Sequence, residues 1–260
     1  MNIFKKVFFA ALACVGLTAN AAFEFTNIDS SDLKSIIKEL GNNFTYTPVS
    51  GASTLGSIFG FKVGLIAGTT STPEIANLSG SGESIPHAAI LGRISIPFGL
   101  TFGLNYVPST KLGDATIGVT GIEAQWTISE GLLVIPFDLA LRGTYSTASF
   151  GFSQTISSVD TDVSSKITST SLAIIAGLDL VVVKPYAGIG TVNVNGNLDI
   201  DSSTSFFNGD LAGETDASET VSGTQLLMGV DFSLLIMDLG VEFAQQLGSN
   251  RYTAKVAFGF

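Results

Sequence analysis

The chain has 260 residues, charged residues make up 13%, glycine occurs 29 times and the formal net charge is −10. A charge content well below the usual ~25%, with an acidic balance, excludes a nucleic-acid surface, which needs a basic face. Mean hydropathy is +0.45, yet beyond residue 21 no apolar run approaches the ~18 residues of a spanning helix.

The amino terminus reads as a secretory signal. Lys5 and Lys6 form a basic region, Val7 to Leu17 is apolar, and Ala19-Asn20-Ala21 has the small-x-small pattern of a cleavage site. Residues 1–21 are the expected signal peptide, with Ala22 as mature start and a mature net charge of −12 once the two lysines leave. An uncleaved anchor is the weaker alternative, because the apolar stretch is too short to span. A lipid-modified Cys14 is another, but Ala11 stands where a leucine belongs and the apolar run continues past it. Cys14 is the only cysteine. Cleavage then removes disulfides, zinc-thiolate sites and cysteine nucleophiles together, and suits passage through an oxidising periplasm.

Residues 22–58 form a separate N-terminal segment. Ser30 or Ser31 is placed to cap a helix over 32–40, in which Leu33, Ile36, Ile37 and Leu40 share one face and Gly41-Asn42 is the stop. Lys34, Lys38 and Glu39 lie opposite. Such a helix either packs on its own barrel as a plug or lid, or lies on the inner leaflet or a neighbouring subunit.

From Phe59 onward the period becomes two. Strands are expected near 60–69, 88–97, 99–107, 116–127, 134–146, 168–180, 184–196, 220–234, 237–246 and 251–260. Leu100, Phe102, Leu104 and Tyr106 oppose Thr101, Gly103 and Asn105; Phe137, Leu139, Leu141 and Tyr145 oppose Asp138, Arg142 and Thr144. The links alternate long and short, as the external loops and periplasmic turns of outer-membrane barrels do. The fold class is therefore all-β: a transmembrane antiparallel β-barrel of ten to twelve strands over 59–260, the larger number if 44–58 adds a pair. A closed barrel satisfies every backbone group in lipid.

The long links are acidic and Ser/Thr-rich, with Asp199, Asp201, Asp210, Glu214 and Asp216 in 197–219. Their spacing fits no calcium loop, and solvated loops are the simpler reading. No metal or cofactor is expected. His87, the one histidine, has only Glu83 and Ser84 near it in sequence, which leaves an enzyme without a second shell. In-strand charges are sparse and mixed in sign: Lys62, Arg93, Glu123, Asp138, Arg142, Asp179, Asp231, Asp238, Glu242 and Lys255. A narrow barrel fills with such side chains, which disfavours a wide water pore.

The last strand places Tyr252, Ala254, Val256, Phe258 and Phe260 on one face and stops at an aromatic. It resembles the carboxyl-terminal signal of bacterial outer-membrane β-barrels; that resemblance implies recognition of Tyr252, Val256, Phe258 and Phe260 by barrel-assembly machinery and residence in the outer membrane. Lys184-Pro185-Tyr186-Ala187-Gly188-Ile189-Gly190 and Ile96-Pro97-Phe98-Gly99-Leu100 likewise look like porin-family strand starts.

The short turns are anomalous because both faces are apolar around them. Leu133, Ile135, Ile175, Leu180, Val182, Leu227, Leu235 and Ile236 are the candidate lipid-contacting residues. Either they pack on the 32–40 helix as an ordinary core, or the interior at this end meets lipid. Size, signal, helix and apolar interior together resemble the porin-like, lipid-trapping outer-membrane proteins of predatory bacteria and their relatives, whose subunits join in a ring around lipid. The long-chain fatty-acid transporter type is also similar, but larger. The expectation is a non-enzymatic porin-like homo-oligomer that binds or encloses outer-membrane lipid, with a small diffusion porin or hydrophobic-compound transporter as the alternative.

Overall fold

In the computed structural model, residues 28–56, 59–80, 82–112, 115–130, 137–156, 159–201 and 207–259 are described. The expected signal peptide, Leu133, Ile135 and Phe260 lie outside these residues. The strands are β1 (Gly60–Ser71), β2 (Ser84–Ile96), β3 (Leu100–Leu112), β4 (Ala115–Thr127), β5 (Asp138–Ile156), β6 (Val159–Gly177), β7 (Val183–Asp201), β8 (Asp216–Leu234), β9 (Met237–Gln246) and β10 (Ser249–Gly259). They close into one antiparallel barrel of ten, each strand beside its chain neighbour and β1 sealed against β10. The helices are α1 (Ser30–Phe44) and α2 (Pro73–Ser79), the latter inside the expected 70–87 link.

One end of the barrel carries the connections 97–99, 128–137, 178–182 and 235–236; we call it the rim. The opposite end, the crown, carries α2 and the 202–215 connection. The described residues of 44–58, up to 56, add no strand pair, and the barrel closes with ten strands.

β5 to β8 are each 19 residues long and stand above their neighbours. The stretch 147–167, expected to be a loop, is mostly paired strand, from Thr147↔Thr168 to Ile156↔Val159. It reads as loop because Ser149, Ser153, Asp162 and Ser164 supply a polar outer face there.

Along these long strands the polarity inverts while the period stays two. Near the rim the outward positions are apolar: Leu172, Ile174 and Leu178 on β6 and its end, Ile189 on β7, and Leu226, Met228, Phe232 and Leu234 on β8 are all exposed. Towards the crown the outward positions become Lys166, Ser164 and Asp162, then Asn193, Asn195 and Asn197, then Thr224, Ser222 and Ser218. Inside the barrel as a whole the change is opposite: the rim half holds the charges Arg93, Glu123, Arg142, Asp231 and Lys255, beside the apolar Ala173 and Ile175, and the crown half holds Val163, Ile167, Val192, Val194, Leu198 and Val221, all buried. The rim half is built for lipid outside. The crown half is built like a water-soluble protein, with its apolar core inside.

An aromatic girdle marks the transition. Tyr106, Tyr145 and Tyr252 are exposed on the outer wall, and Tyr252 packs against Phe243 at 5.2 Å between ring centroids. Tyrosines of this kind, apolar in body and polar at the tip, suit a membrane–water boundary.

Candidate functional site

The lumen is where a porin-like barrel would act, and here it is occupied by the chain's own N-terminal segment. Ile28 pairs with Phe207 at the crown, α1 descends into the barrel, and residues 45–56 continue to the rim, where β1 begins.

α1 is started by Asp29, whose carboxylate accepts from the Ser31 and Asp32 amides at 2.8 and 3.0 Å while Asp32 reaches back to the Asp29 amide. This capping box satisfies the otherwise free first-turn donors. The Ser31 hydroxyl, then these amides, hold the Asp29 carboxyl below its ordinary range. Asp210, from the crown connection, is lowered likewise by its bonds to Ser30.

The face predicted from spacing is the one that packs. Leu33, Ile36, Ile37 and Leu40 are buried with Ile167, Val192, Val194, Leu198 and Val221. The helix therefore belongs to the interior of its own barrel. It also runs past Gly41-Asn42, the expected stop, because Gly41 lets the backbone come so close to Val194 that a β-carbon there would lie 2.4 Å from a Val194 methyl. Glu39, expected on the polar face, is buried and accepts from the Glu74 and Ile75 amides at 3.0 and 2.9 Å. It caps α2, whose own N-cap Thr72 makes no side-chain bond. Burial raises the Glu39 carboxyl, and these two amides oppose the rise.

Below the helix, polar lumen residues grip the descending backbone. Arg251 donates to the Asn42 and Thr45 carbonyls at 2.9 and 2.8 Å, supplying the positive charge that the helix lacks in its last turn. Asn105 donates to the Thr47 carbonyl and Arg142 to those of Ser50 and Gly51. Gln125 and Thr127 donate to the Ala52 carbonyl, and the Ser95 hydroxyl accepts from the Leu55 amide. Tyr46 lies against Gly103 and Gly121, where a β-carbon would come within 2.2 Å of its hydroxyl oxygen and 2.9 Å of a ring carbon. The lumen charges are largely matched: Arg93 binds Glu123 at 2.6 Å, Lys255 binds Asp231 at 2.8 Å, and Lys62 pairs with Asp238.

The candidate lipid-contacting residues fall into two groups. Ile175 and Leu227 face the lumen but are buried with Ala52, Tyr186 and Ala244, so the chain itself covers them. Their cover is the extended segment below α1, not the helix. Leu180, Val182, Leu235 and Ile236 lie at the rim turns and are exposed. The larger apolar lumen lies at the crown, opposite the end where the turns suggested it. His87 points inward, and its ring nitrogens bond Asn43 Oδ1 and Thr253 Oγ1 at 3.2 and 3.0 Å, instead of Glu83 or Ser84. Sequence reasoning missed Arg251 and Asn42 as plug contacts; the mark they left was an arginine on the inward face of the last strand. At the C-terminal strand Tyr252, Val256 and Phe258 are exposed on the outer wall.

No curated protein matches the chain. Among solved structures, the translocator domain of autotransporter NalP from Neisseria meningitidis is similar at 12% identity and a TM-score of 0.46, over 88% of this chain and 95% of that one. The Yersinia pestis attachment invasion locus protein Ail gives 8% and 0.33, over 78% and 97%. The Escherichia coli outer membrane protease OmpT gives 10% and 0.38, over 78% and 96%. These likenesses are of fold, that of outer-membrane barrels. Residues 9–260 match the model of the family of unknown function DUF6588, and the chain belongs to that family.

Proposed function

We propose that this protein is a bacterial outer-membrane barrel closed by its own N-terminal segment, which passes no solute and encloses no lipid in its lumen, and which acts by holding a rigid crown outside the cell. One observation carries the reading: Arg251 at the helix end and Arg142 nearer the rim both donate to main-chain carbonyls of the segment. Backbone contacts of this kind at successive levels hold the segment as part of the folded lumen. A diffusion porin needs a free polar bore, and an internal lipid site needs free apolar surface at Ile175 and Leu227, which Ala52 and Tyr186 occupy. Lipid is assigned instead to the outer belt.

The crown is placed outside the cell because the longer connections of such barrels are external. Planar-bilayer recording tests the closure: the refolded full-length protein is expected to be silent, and a steady open-channel current would overturn the reading. Orientation is tested with Ser31→Cys, an exposed position at the crown. It should react with an impermeant maleimide on intact cells, whereas labelling only after the outer membrane is opened would reverse the topology.

A further inference from the structure

The rim turns carry apolar side chains on strained backbone, and among the described residues none covers them. Phe98, Val181 and Leu235 have φ of 73°, 71° and 52°, a region that favours glycine or asparagine. At Val181 the Val182 amide donates to the Leu180 carbonyl at 2.8 Å, which makes a γ-turn of the rare, strained hand. Their exposures are 86%, 81% and 101%. Leu247 supplies the contrast. It sits at φ 54° in a turn at the crown but is buried in the core around α1. At the crown the chain covers its strained apolar turn; at the rim something else must.

We propose that the rim turns lie within the hydrocarbon of the bilayer leaflet on that side, with Phe98, Val181 and Leu235 against acyl chains; this rests on the membrane reading above. On β8 the turn continues the outward belt directly, and after β6 Asp179, which stands between Leu178 and Val181, is paired with Lys184. On β8 the belt from Leu226 to Leu234 is eight residue steps, about 20 Å along the membrane normal at the usual rise and tilt, and on β6 from Leu172 to Leu178 it is about 15 Å. Both fall short of the ~25 Å apolar band of such barrels. Extending them to Leu235 and to Val181 brings both to about 23 Å. Two carboxylates near these turns are matched. Asp179 accepts from the Val181 amide and from Lys184 Nζ at 3.0 and 2.6 Å, and Asp231 is bound to Lys255 inside the lumen.

The single tryptophan, Trp126, permits a direct test. In a Trp126→Phe background, tryptophan is placed singly at Val181, Leu235 and, as a mid-belt control, Val241. The proteins are refolded into dioleoylphosphatidylcholine vesicles with or without acyl-brominated lipid, and folding is checked by heat-modifiable migration. All three are expected to emit in the blue, to be quenched by the brominated lipid and to resist iodide. If the Val241 probe is quenched while the two turn probes emit as in water and respond to iodide, the rim proposal is overturned and insertion stands. If the Val241 probe is not quenched, insertion fails and the rim proposal with it. A second variant, Leu235→Asn, suits the backbone better than leucine. Turns in hydrocarbon predict a lower refolding yield into vesicles than the parent shows, and an equal or higher yield overturns the proposal.

Discussion

Strand β8 passes through two environments, and a few residues separate them. From Leu226 to Leu234 its outward side chains are apolar and its inward ones include Asp231; from Ser218 to Thr224 the outward side chains are Ser and Thr, while Val221 faces inward. Strand pairing and period are unchanged. What changes is the solvent outside, and with it which face carries the hydrophobic term. Alternation therefore identifies a strand, while its polarity locates the membrane.

The comparison breaks most sharply inside the belt. Arg93 binds Glu123 through Nε and Nη2 at 3.0 and 2.6 Å, both side chains almost fully enclosed. Arg93→Met leaves that carboxylate with Arg142, at 3.8 Å, as its ion-pair partner. A loss of about 3–5 kcal/mol is expected, the usual cost of stripping one partner from a buried pair. Reversible urea unfolding from lipid vesicles measures it, and a loss under about 1 kcal/mol would show that water enters the lower lumen.

Outside the barrel the same strand geometry predicts opposite tolerance. Val241→Lys, level with Val230 in mid-belt, should cost about 2–4 kcal/mol in the same assay. Ser218→Lys on the outward crown face should stay within about 0.5 kcal/mol. Equal costs would erase the boundary between belt and crown. In the crown core, Ile37→Val removes one methylene from a fully buried site and should cost about 0.5–1.5 kcal/mol, seen by denaturant unfolding. A neutral result would mean that α1 is loosely held.

Strands with one clear polarity were legible. Leu100 to Tyr106, the β9 range and the helical face of Leu33, Ile36, Ile37 and Leu40 could be read from period alone, since each meets one solvent and one core. The upper parts of β5 and β6, and the crown ends of β7 beyond 196 and of β8 before 220, were not. There Ser and Asp occupy outward positions and Val163, Ile167 and Leu198 hold the inward row, so local composition resembles a loop although the residues pair. The plug was legible as a helix but not as a filled lumen. Its extended part, 45–56, is recognised through backbone carbonyls by Arg142, Arg251 and Asn105, and a carbonyl leaves no trace in residue type. His87 was misassigned for a related reason. Its partners, Asn43 and Thr253, are distant in sequence and meet only once the barrel closes around the plug.

The smallest effect concerns the crown mouth and separates it from the belt by pH. The Asp29 carboxyl sits below its ordinary value of 3.8 because the Ser31 hydroxyl and the first-turn amides bond its charged form, and Asp210 is held down by Ser30. A depressed folded value means that the stabilisation is present above the unfolded pKa and is lost as pH falls through the folded one. Loosening of the first turn of α1 is thus expected only below about pH 4, while the apolar belt has no group that responds. Hydrogen exchange at the Ser31 and Asp32 amides, corrected for intrinsic rates, should show protection that holds from pH 5 to about pH 4 and falls below it. Asp29→Asn retains the cap's acceptor oxygen but cannot titrate there. Its protection should be lower at pH 5 and should depend less on acid. If parent and variant lose protection in parallel, the acid response arises elsewhere and the capping box does not govern entry of the segment into the barrel.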